Sequence, residues 1–382
     1  MKMKLISIIA YLILIIGTCF AADVYRAVCT LETTRRAPNE IKGNVYFEQN
    51  GDVKTIRGTI SGLTEGEHGL HIHYFGDISN NEGARVGNHF NIDNNNTHGK
   101  PPSTDRHVGD MGSITADSSG SSTFELTGHL WTLDGSTNTS IIGRSLVIHE
   151  KGDDGTDPQG QAGYYIAQCT IGIRHVESQD RNLATFGNLL SPKFASCEMH
   201  GTTDYDNIVG RVTFLKTLDG IEVRSRVCNL PNGKHGFHIH EFGDHSDAQG
   251  SQLLGEHWNP RNGEHGLPGG ANRHDGDLGN IETTGVVGES VMTDKIIKLE
   301  GIQSVLGRSV VIHILEDTGE AGSYGPKVAS CVVGLTQEQY SLDDACTNQT
   351  YEEDLARKIV FYVALGPVII VFLLAMVVLC LL

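Results

Sequence analysis

Two stretches constrain this chain more than anything else in it: HGLHIHYFGD at positions 68–77 and HGFHIHEFGD at positions 235–244. Sliding the chain over itself by 167 residues lays His238 on His71, His240 on His73, His265 on His98, His274 on His107 and Asp277 on Asp110. His257 meets His89 with one residue of slippage, and His313 meets His149 after a three-residue deletion. Self-similarity over such a span means that one folding unit occurs twice, so every motif has to be weighed as a pair. The copies run over 24–175 and 194–337, with a polar linker at 176–193 between them.

Each copy is long enough to bury its own core. Short alternating runs punctuated by glycine, 46 in 382 residues, predict strands and few helices. Asn50-Gly51 and Asp219-Gly220 separate alternating runs in equivalent places, and both dipeptides tolerate the positive φ of a two-residue hairpin turn. Long glycine-rich excursions between the later strands point to crossovers rather than a simple meander. The expected fold class is all-β, with two tandem Greek-key β-barrel domains of the immunoglobulin-like sandwich type.

The ends read differently from the middle. Residues 1–21 hold two lysines, an apolar stretch and small residues before Ala22, the pattern of a cleaved secretory signal. An acidic stalk at 338–358 leads into 359–382, 24 residues without a charge. That length spans a bilayer, but Arg357 and Lys358 would then lie on the extracytoplasmic side. Small residues at Asp344, Ala345 and Cys346 followed by a polar spacer fit a glycolipid (GPI) attachment signal better. Either way the bulk of the chain is expected outside the cell, at its surface and membrane-anchored through the C-terminus. Asn-x-Ser/Thr triplets at Asn95, Asn138 and Asn348 suit that route. The net charge of −17 argues against nucleic acid as a partner, and leaves any anionic substrate in need of a local positive focus.

Six cysteines remain once the two ends are set aside. Cys29 and Cys197 fall in the first strand of each copy, Cys169 and Cys331 in the last, which predicts the bonds Cys29–Cys169 and Cys197–Cys331 in an oxidising compartment. Cys228 and Cys346 have no counterparts; pairing with each other, pairing between molecules and staying free all remain open.

Successive side chains of a strand point to opposite faces, so His71 and His73 share one face, as do His238 and His240. Twelve of the 18 histidines occupy matched positions, too many for satisfied core imidazoles. Imidazole suits zinc and copper, and an added carboxylate favours tetrahedral zinc. Six imidazoles and an aspartate exceed the needs of one ion, so two ions per copy sharing one histidine is the economical reading. His68 and His235 precede the pairs but fit no ligand position, and loop or core hydrogen bonds are expected for them. The unmatched His129, His175, His200 and His245 are expected to be solvated.

The segments GLHIHYFGD, GNHFN, THGKPPSTDRHVGDMGSITAD and GRSLVIHEKGDD resemble the copper/zinc superoxide dismutase family. GFHIHEFGD, GEHWNP, EHGLPGGANRHDGDLGN and GRSVVIH repeat the likeness, which covers both copies almost end to end. The resemblance implies copper on His71, His73, His89 and His149, and zinc on His89, His98, His107 and Asp110. In the second copy it implies copper on His238, His240, His257 and His313, and zinc on His257, His265, His274 and Asp277. Asp153 and Asp317 match the aspartate that links the two metal sites. The implied reaction is dismutation of superoxide to oxygen and hydrogen peroxide, with His89 or His257 as the proton-carrying shared ligand. The copies would pair within one chain or through a homodimer.

Two departures from the family pattern stand out. The arginine that guides the anion is replaced by Tyr165 in the first copy and by Lys327 in the second. A lysine keeps the charge without the planar fork, whereas a tyrosine offers only a hydroxyl, so the second copy is expected to be the more active. The family's cysteine in the metal loop is also missing near Gly83 and in the second copy, which predicts a loop not tied to its barrel. These losses leave two other roles in play: extracellular copper binding and buffering, and a surface interaction module with structural metals.

Overall fold

The computed structural model describes residues 24–92, 97–135, 137–156, 158–175, 192–247, 251–270, 272–301, 303–339 and 341–346. The signal segment, nearly all of the linker, most of the stalk, the apolar tail, Asn95 and Asn348 lie outside the described residues. Among the described residues no helix is long and apolar enough to cross a membrane.

The first repeat forms β1 (Val24–Thr30), β2 (Glu32–Thr33), β3 (Lys42–Asn50), β4 (Val53–Ser61), β5 (Gly66–His73), β6 (Asp110–Ala116), β7 (Ser122–Thr127), β8 (Ser145–His149), β9 (Tyr165–Thr170) and β10 (Gly172–Ile173). Two antiparallel sheets result, ordered β10-β1-β3-β4-β7 and β2-β9-β8-β5-β6. The first strand changes sheets at Leu31.

In the second repeat the strands are β11 (Phe194–Gly201), β12 (Val209–Lys216), β13 (Ile221–Cys228), β14 (Gly233–His240), β15 (Asp277–Thr284), β16 (Val287–Asp294), β17 (Ser309–His313), β18 (Lys327–Val332) and β19 (Gly334–Leu335). They run in the order β12-β13-β16-β15-β14-β17-β18-β11, and pairing of β11 with β12 closes an eight-stranded barrel. Here β13 pairs with β16, and β14 with β17. Such non-consecutive neighbours are the crossovers of a Greek key.

The expected hairpins form with shifted turns. Asn50 pairs with Val53, so the two-residue turn is Gly51-Asp52, with Gly51 at φ 55°. In the second repeat Lys216 pairs with Ile221 around a longer loop of residues 217–220, closed by a hydrogen bond from Thr217 N to Gly220 O. The turn dipeptides mark where the chain reverses, but strand pairing fixes the register.

Alternating burial along β3, with Val45 and Phe47 inward, builds one apolar core per repeat. Trp131, fully buried, meets Phe47 edge to face at 5.8 Å. The cores exchange one aromatic each: Phe242 of the second repeat packs into the first core, and Phe75 of the first packs against the second. Around that exchange the backbones bond in a pseudo-twofold pattern. Gly76 N donates to Leu335 O (2.9 Å) and Leu335 N to Gly143 O (2.7 Å); Gly243 N donates to Ile173 O (3.0 Å) and Ile173 N to Gly307 O (2.7 Å). A Cβ on Gly334 would stand 2.3 Å from Gly76 O, and one on Gly172 2.2 Å from Gly243 O, so only glycine lets the two repeats approach this closely.

The disulfides Cys29–Cys169 and Cys197–Cys331 join first strand to last, with Cα–Cα distances of 5.6 and 5.5 Å. Cys228 pairs with Cys346 at 5.8 Å, deciding what the sequence left open and tying the start of the stalk to β13.

Candidate metal centres

Strands β5 and β8 are neighbours in the middle of their sheet, with His71 opposite Val147 and His73 opposite Ser145. Side chains of His71, His73 and the terminal His149 therefore point to the same face of the sheet. His89 joins them because its backbone bridges His73 and Phe90 N donates to Ile72 O (2.8 Å). A buried arginine fixes this approach. Arg144 donates to Ser140 O (2.9 Å) and Tyr74 O (2.5 Å) while its guanidinium lies 3.5 Å from the Phe90 ring centre. Arg308 does the same in the second repeat, bonding Ser304 O and Glu241 O and lying 3.2 Å from the Trp258 ring centre. Each arginine thus clamps the residue that follows the shared histidine.

The hydrogen bonds of each ring leave one nitrogen bare. His71 Nε2 is paired with Asp153 Oδ2 (3.1 Å), His73 Nδ1 with Gly87 O (2.8 Å), His89 Nδ1 with Asp110 Oδ1 (2.8 Å) and His149 Nδ1 with Gly163 O (3.3 Å). The opposite atoms, His71 Nδ1, His73 Nε2, His89 Nε2 and His149 Nε2, are buried with no hydrogen-bond partner. Four buried lone pairs without a proton donor are costly unless a cation takes them. Ligand atoms of His71, His89 and His149 lie within 4.8 Å of one another; in the second repeat His238, His240, His257 and His313 all do. The His73 ring stands beside this set, 5.0 Å from His89 and 5.7 Å from His149.

A second group adjoins the first through the shared ring. His89, His98, His107 and Asp110 lie within 4.8 Å of one another, as do His257, His265, His274 and Asp277. Asp110 Oδ2 accepts Gly99 N (3.1 Å) and His107 N (2.9 Å), which holds Oδ1 toward the three imidazoles. Asp153 spans both groups, with Oδ2 on His71 and Oδ1 2.9 Å from His98 Nε2. Asp317 repeats the link at 2.8 Å to His238 and 3.0 Å to His265.

Burial pushes the Asp110 and Asp153 carboxyls upward, but the surrounding histidines outweigh it and hold both well below the usual carboxylate range. Burial lowers His238 to about 4 and His313 to about 3, so these rings are neutral at physiological pH and their lone pairs are available. The donor sets fit both ions: imidazole alone for copper, imidazole with one carboxylate for tetrahedral zinc.

The positions expected to guide an anion differ in kind. Lys327 Nζ donates to Ser251 O and Gly255 O, both at 3.2 Å, and burial lowers its pKa. Tyr165 lays its ring 4.9 Å from both His73 and His149 and brings no charge.

Several residues escaped the sequence reading. Gln168 Nε2 donates to Ile78 O and Asn80 O, both at 3.0 Å, so the first repeat's metal loop is tied to the barrel by hydrogen bonds, contrary to the expectation of an untied loop. Tyr324 lies against the second centre, its ring centre 4.6 Å from His313, 4.7 Å from His257, 5.0 Å from His238 and 5.3 Å from His265. Ala162 holds the corresponding place in the first repeat: the nearest neighbour of a Cβ on Gly69 is Ala162, and of one on Gly236 is Tyr324.

His68 and His235 are structural, with His68 Nδ1 bonded to His149 O (2.8 Å) and His235 Nδ1 to Ile314 O (2.9 Å). Of the unmatched histidines expected to be solvated, His200 is exposed and His175 and His245 are half-buried, whereas His129 is buried. His129 is buried and stacked on Trp131 at 5.6 Å. His175 meets Phe242 edge-on at 5.0 Å, while His200 and His245 line a cavity between the repeats.

The family model described as copper/zinc superoxide dismutase (SODC) matches residues 41–171 and again 208–333. The chain belongs to that family. Copper and zinc are its cofactors. It is 45% identical over 157 residues to superoxide dismutase [Cu-Zn] A of Xenopus laevis, covering 39% of this chain and 97% of the relative. Over 172 residues it is 39% identical to the extracellular superoxide dismutase [Cu-Zn] of Caenorhabditis elegans, covering 42% of this chain and 76% of the relative. The solved structure of the clock protein EA4 is 33% identical, with a TM-score of 0.36, covering 39% of this chain and 98% of that one. A whole single-copy dismutase thus fits within less than half of this chain.

Proposed function

We propose that the chain is an extracellular dismutase that converts superoxide to oxygen and hydrogen peroxide, anchored to the cell surface by a glycolipid added near its C-terminus. The domains are the units 24–175 and 194–337, paired face to face within one chain. The observation that carries the reading is the buried, unpartnered imidazole nitrogens beside a carboxylate-centred group, joined by one shared ring. Copper is assigned to His71, His73, His89 and His149, and to His238, His240, His257 and His313. Zinc is assigned to His89, His98, His107 and Asp110, and to His257, His265, His274 and Asp277.

Copper supplies one-electron exchange with superoxide in both directions, and zinc supplies no redox chemistry. The protein's own part is positional and acid–base. Asp153 and Asp317 each orient one ring of either group through bonds to both. His89 Nε2 and His257 Nε2 are the atoms at which a proton is held for the departing peroxide. Lys327 offers the positive focus that this acidic chain needs, whereas Tyr165 only narrows the approach.

The metal-loaded protein is expected to show dismutase turnover that cyanide abolishes, together with copper and zinc in equal amounts. Bound copper without turnover would make it a copper carrier, and zinc alone would reduce the ions to structural staples. Tyr324 covers part of the second centre, so Tyr324→Ala is expected to raise the rate measured with the first centre silenced by His73→Ala. Copper content is measured alongside, and an unchanged or lower rate at equal copper would remove Tyr324 as an obstacle.

A further inference from the structure

Residues 341–346 at the base of the stalk are held by side chains that the second repeat has and the first lacks. Cys29 pairs with Val45 and Cys197 with Val212, so Glu198 faces Arg211 across β11 and β12 where Thr30 faces Asn44 across β1 and β3. Cys228, opposite Val209, holds the place of Ser61, opposite Lys42. Arg211 is 1% exposed; besides pairing with Glu198 it donates through Nη1 to Ser341 O (2.9 Å) and Asp344 Oδ1 (2.5 Å). Asp344 Oδ2 lies 3.9 Å from Nη2 of Arg85, a residue of the first repeat, and Cys346 is bonded to Cys228. The stalk base thus touches both repeats, and Ala345 within it is fully buried.

We propose that this segment is a redox-operated clasp, closed by the Cys228–Cys346 bond and opened by external thiols. The three disulfides close loops of similar length, with separations of 140, 134 and 118 residues, so chain entropy does not rank them. Access does. Cys29, Cys169, Cys197 and Cys331 are 1–4% exposed and lie within strands of the barrels, whereas Cys346 is half-buried and outside every strand. Thiol–disulfide exchange requires a thiolate to reach one of the two sulfurs, and short surface segments open at far lower cost than paired core strands.

In the opening step a thiolate of the reductant attacks Cys346 Sγ, the bond to Cys228 Sγ breaks, and Cys228 leaves as a thiolate that takes up a proton. A second thiol of the reductant attacks the mixed disulfide, which releases Cys346 as a thiol and leaves the reductant oxidised by two electrons. No barrel strand has to part. What then holds the segment is the grip of Arg211 and Arg85 on Asp344, whose side chain is 54% exposed, and water and salt weaken such contacts. Freed residues 341–346 can extend by up to about 20 Å. That the change lengthens a surface tether rests on the anchoring proposed above; the clasp itself depends neither on the anchor nor on dismutase turnover.

The test is titration of the full two-repeat, metal-loaded protein with graded ratios of reduced to oxidised glutathione, read by alkylation of free thiols and mass spectrometry. Cys228 and Cys346 are expected to be half-labelled at a ratio about tenfold below the one that labels any of the other four cysteines. Hydrogen exchange in residues 341–346 is expected to quicken at that same ratio, and Cys346→Ser to show the fast exchange with no reductant present. Reduction of a barrel bond at the same or a lower ratio would overturn the proposal. So would a segment that stays protected after the bond is cut, or in Cys346→Ser. These readings are the same for a glycolipid and for a membrane span, so failure here is distinct from failure of the anchoring reading.

Discussion

Replacing His240 with alanine is expected to lower the total dismutase rate of the protein by about tenfold, the lower end of what electrostatic steering contributes to an association rate. His73→Ala is expected to change it little. Both substitutions remove the matching imidazole from the proposed copper group of their repeat, so the same ligand position is lost in each. What differs is the approach. Lys327 Nζ is fixed by two carbonyls, Ser251 O and Gly255 O, at the end of the strand that pairs with His313. Tyr165 occupies the same register position opposite His149 and is uncharged. With a net charge of −17 the chain as a whole repels an anion, so a single local cation weighs more than it would on a neutral protein. The advantage should shrink as salt is raised, because steering is screened. Equal losses from the two substitutions, with copper content measured in each, would show that Lys327 confers no advantage.

The repeat made much of this legible. Fold class, the histidine and aspartate clusters that could hold metal, and two of the disulfides follow from side chains that recur at one spacing. His71 and His73 illustrate the limit of that reading: strand periodicity puts them on one face, yet it says nothing about which ring nitrogen is free. That is decided by Asp153 and by the carbonyl of Gly87, which lie 82 and 14 residues away. Arg144 and Arg308 stood in the quoted GRSLVIH and GRSVVIH segments, but their role depends on Phe90 and Trp258, which only folding brings beneath them.

Features peculiar to one repeat were the least legible. Gln168 replaces a covalent tie with two hydrogen bonds, and nothing local in AGYYIAQCTIG distinguishes that use from a solvated glutamine. Tyr324 sits in a loop whose length differs between the repeats, so alignment gave it no partner; its equivalence to Ala162 emerges only from their shared position over Gly236 and Gly69.

Stripping both ions from each repeat is expected to lower the melting temperature by about 20 °C, a larger effect than any single substitution considered above. An ion present at a thousandfold excess over its dissociation constant stabilises the folded state by about 4 kcal/mol, and two ions per repeat about double that. Domains of this size shift by roughly 2–4 °C per kcal/mol. The structure says why the metal-free state is so much weaker: His71 Nδ1, His73 Nε2, His89 Nε2 and His149 Nε2 stay buried with nothing to bind. The barrel itself should persist at ambient temperature, since the Cys29–Cys169 and Cys197–Cys331 bonds and the two apolar cores do not depend on metal. Calorimetry of the protein before and after exhaustive chelation measures the difference. A shift below about 5 °C would correspond to barely 1–2 kcal/mol, too little for ions that close these centres, and would mean that the imidazoles are satisfied by water instead.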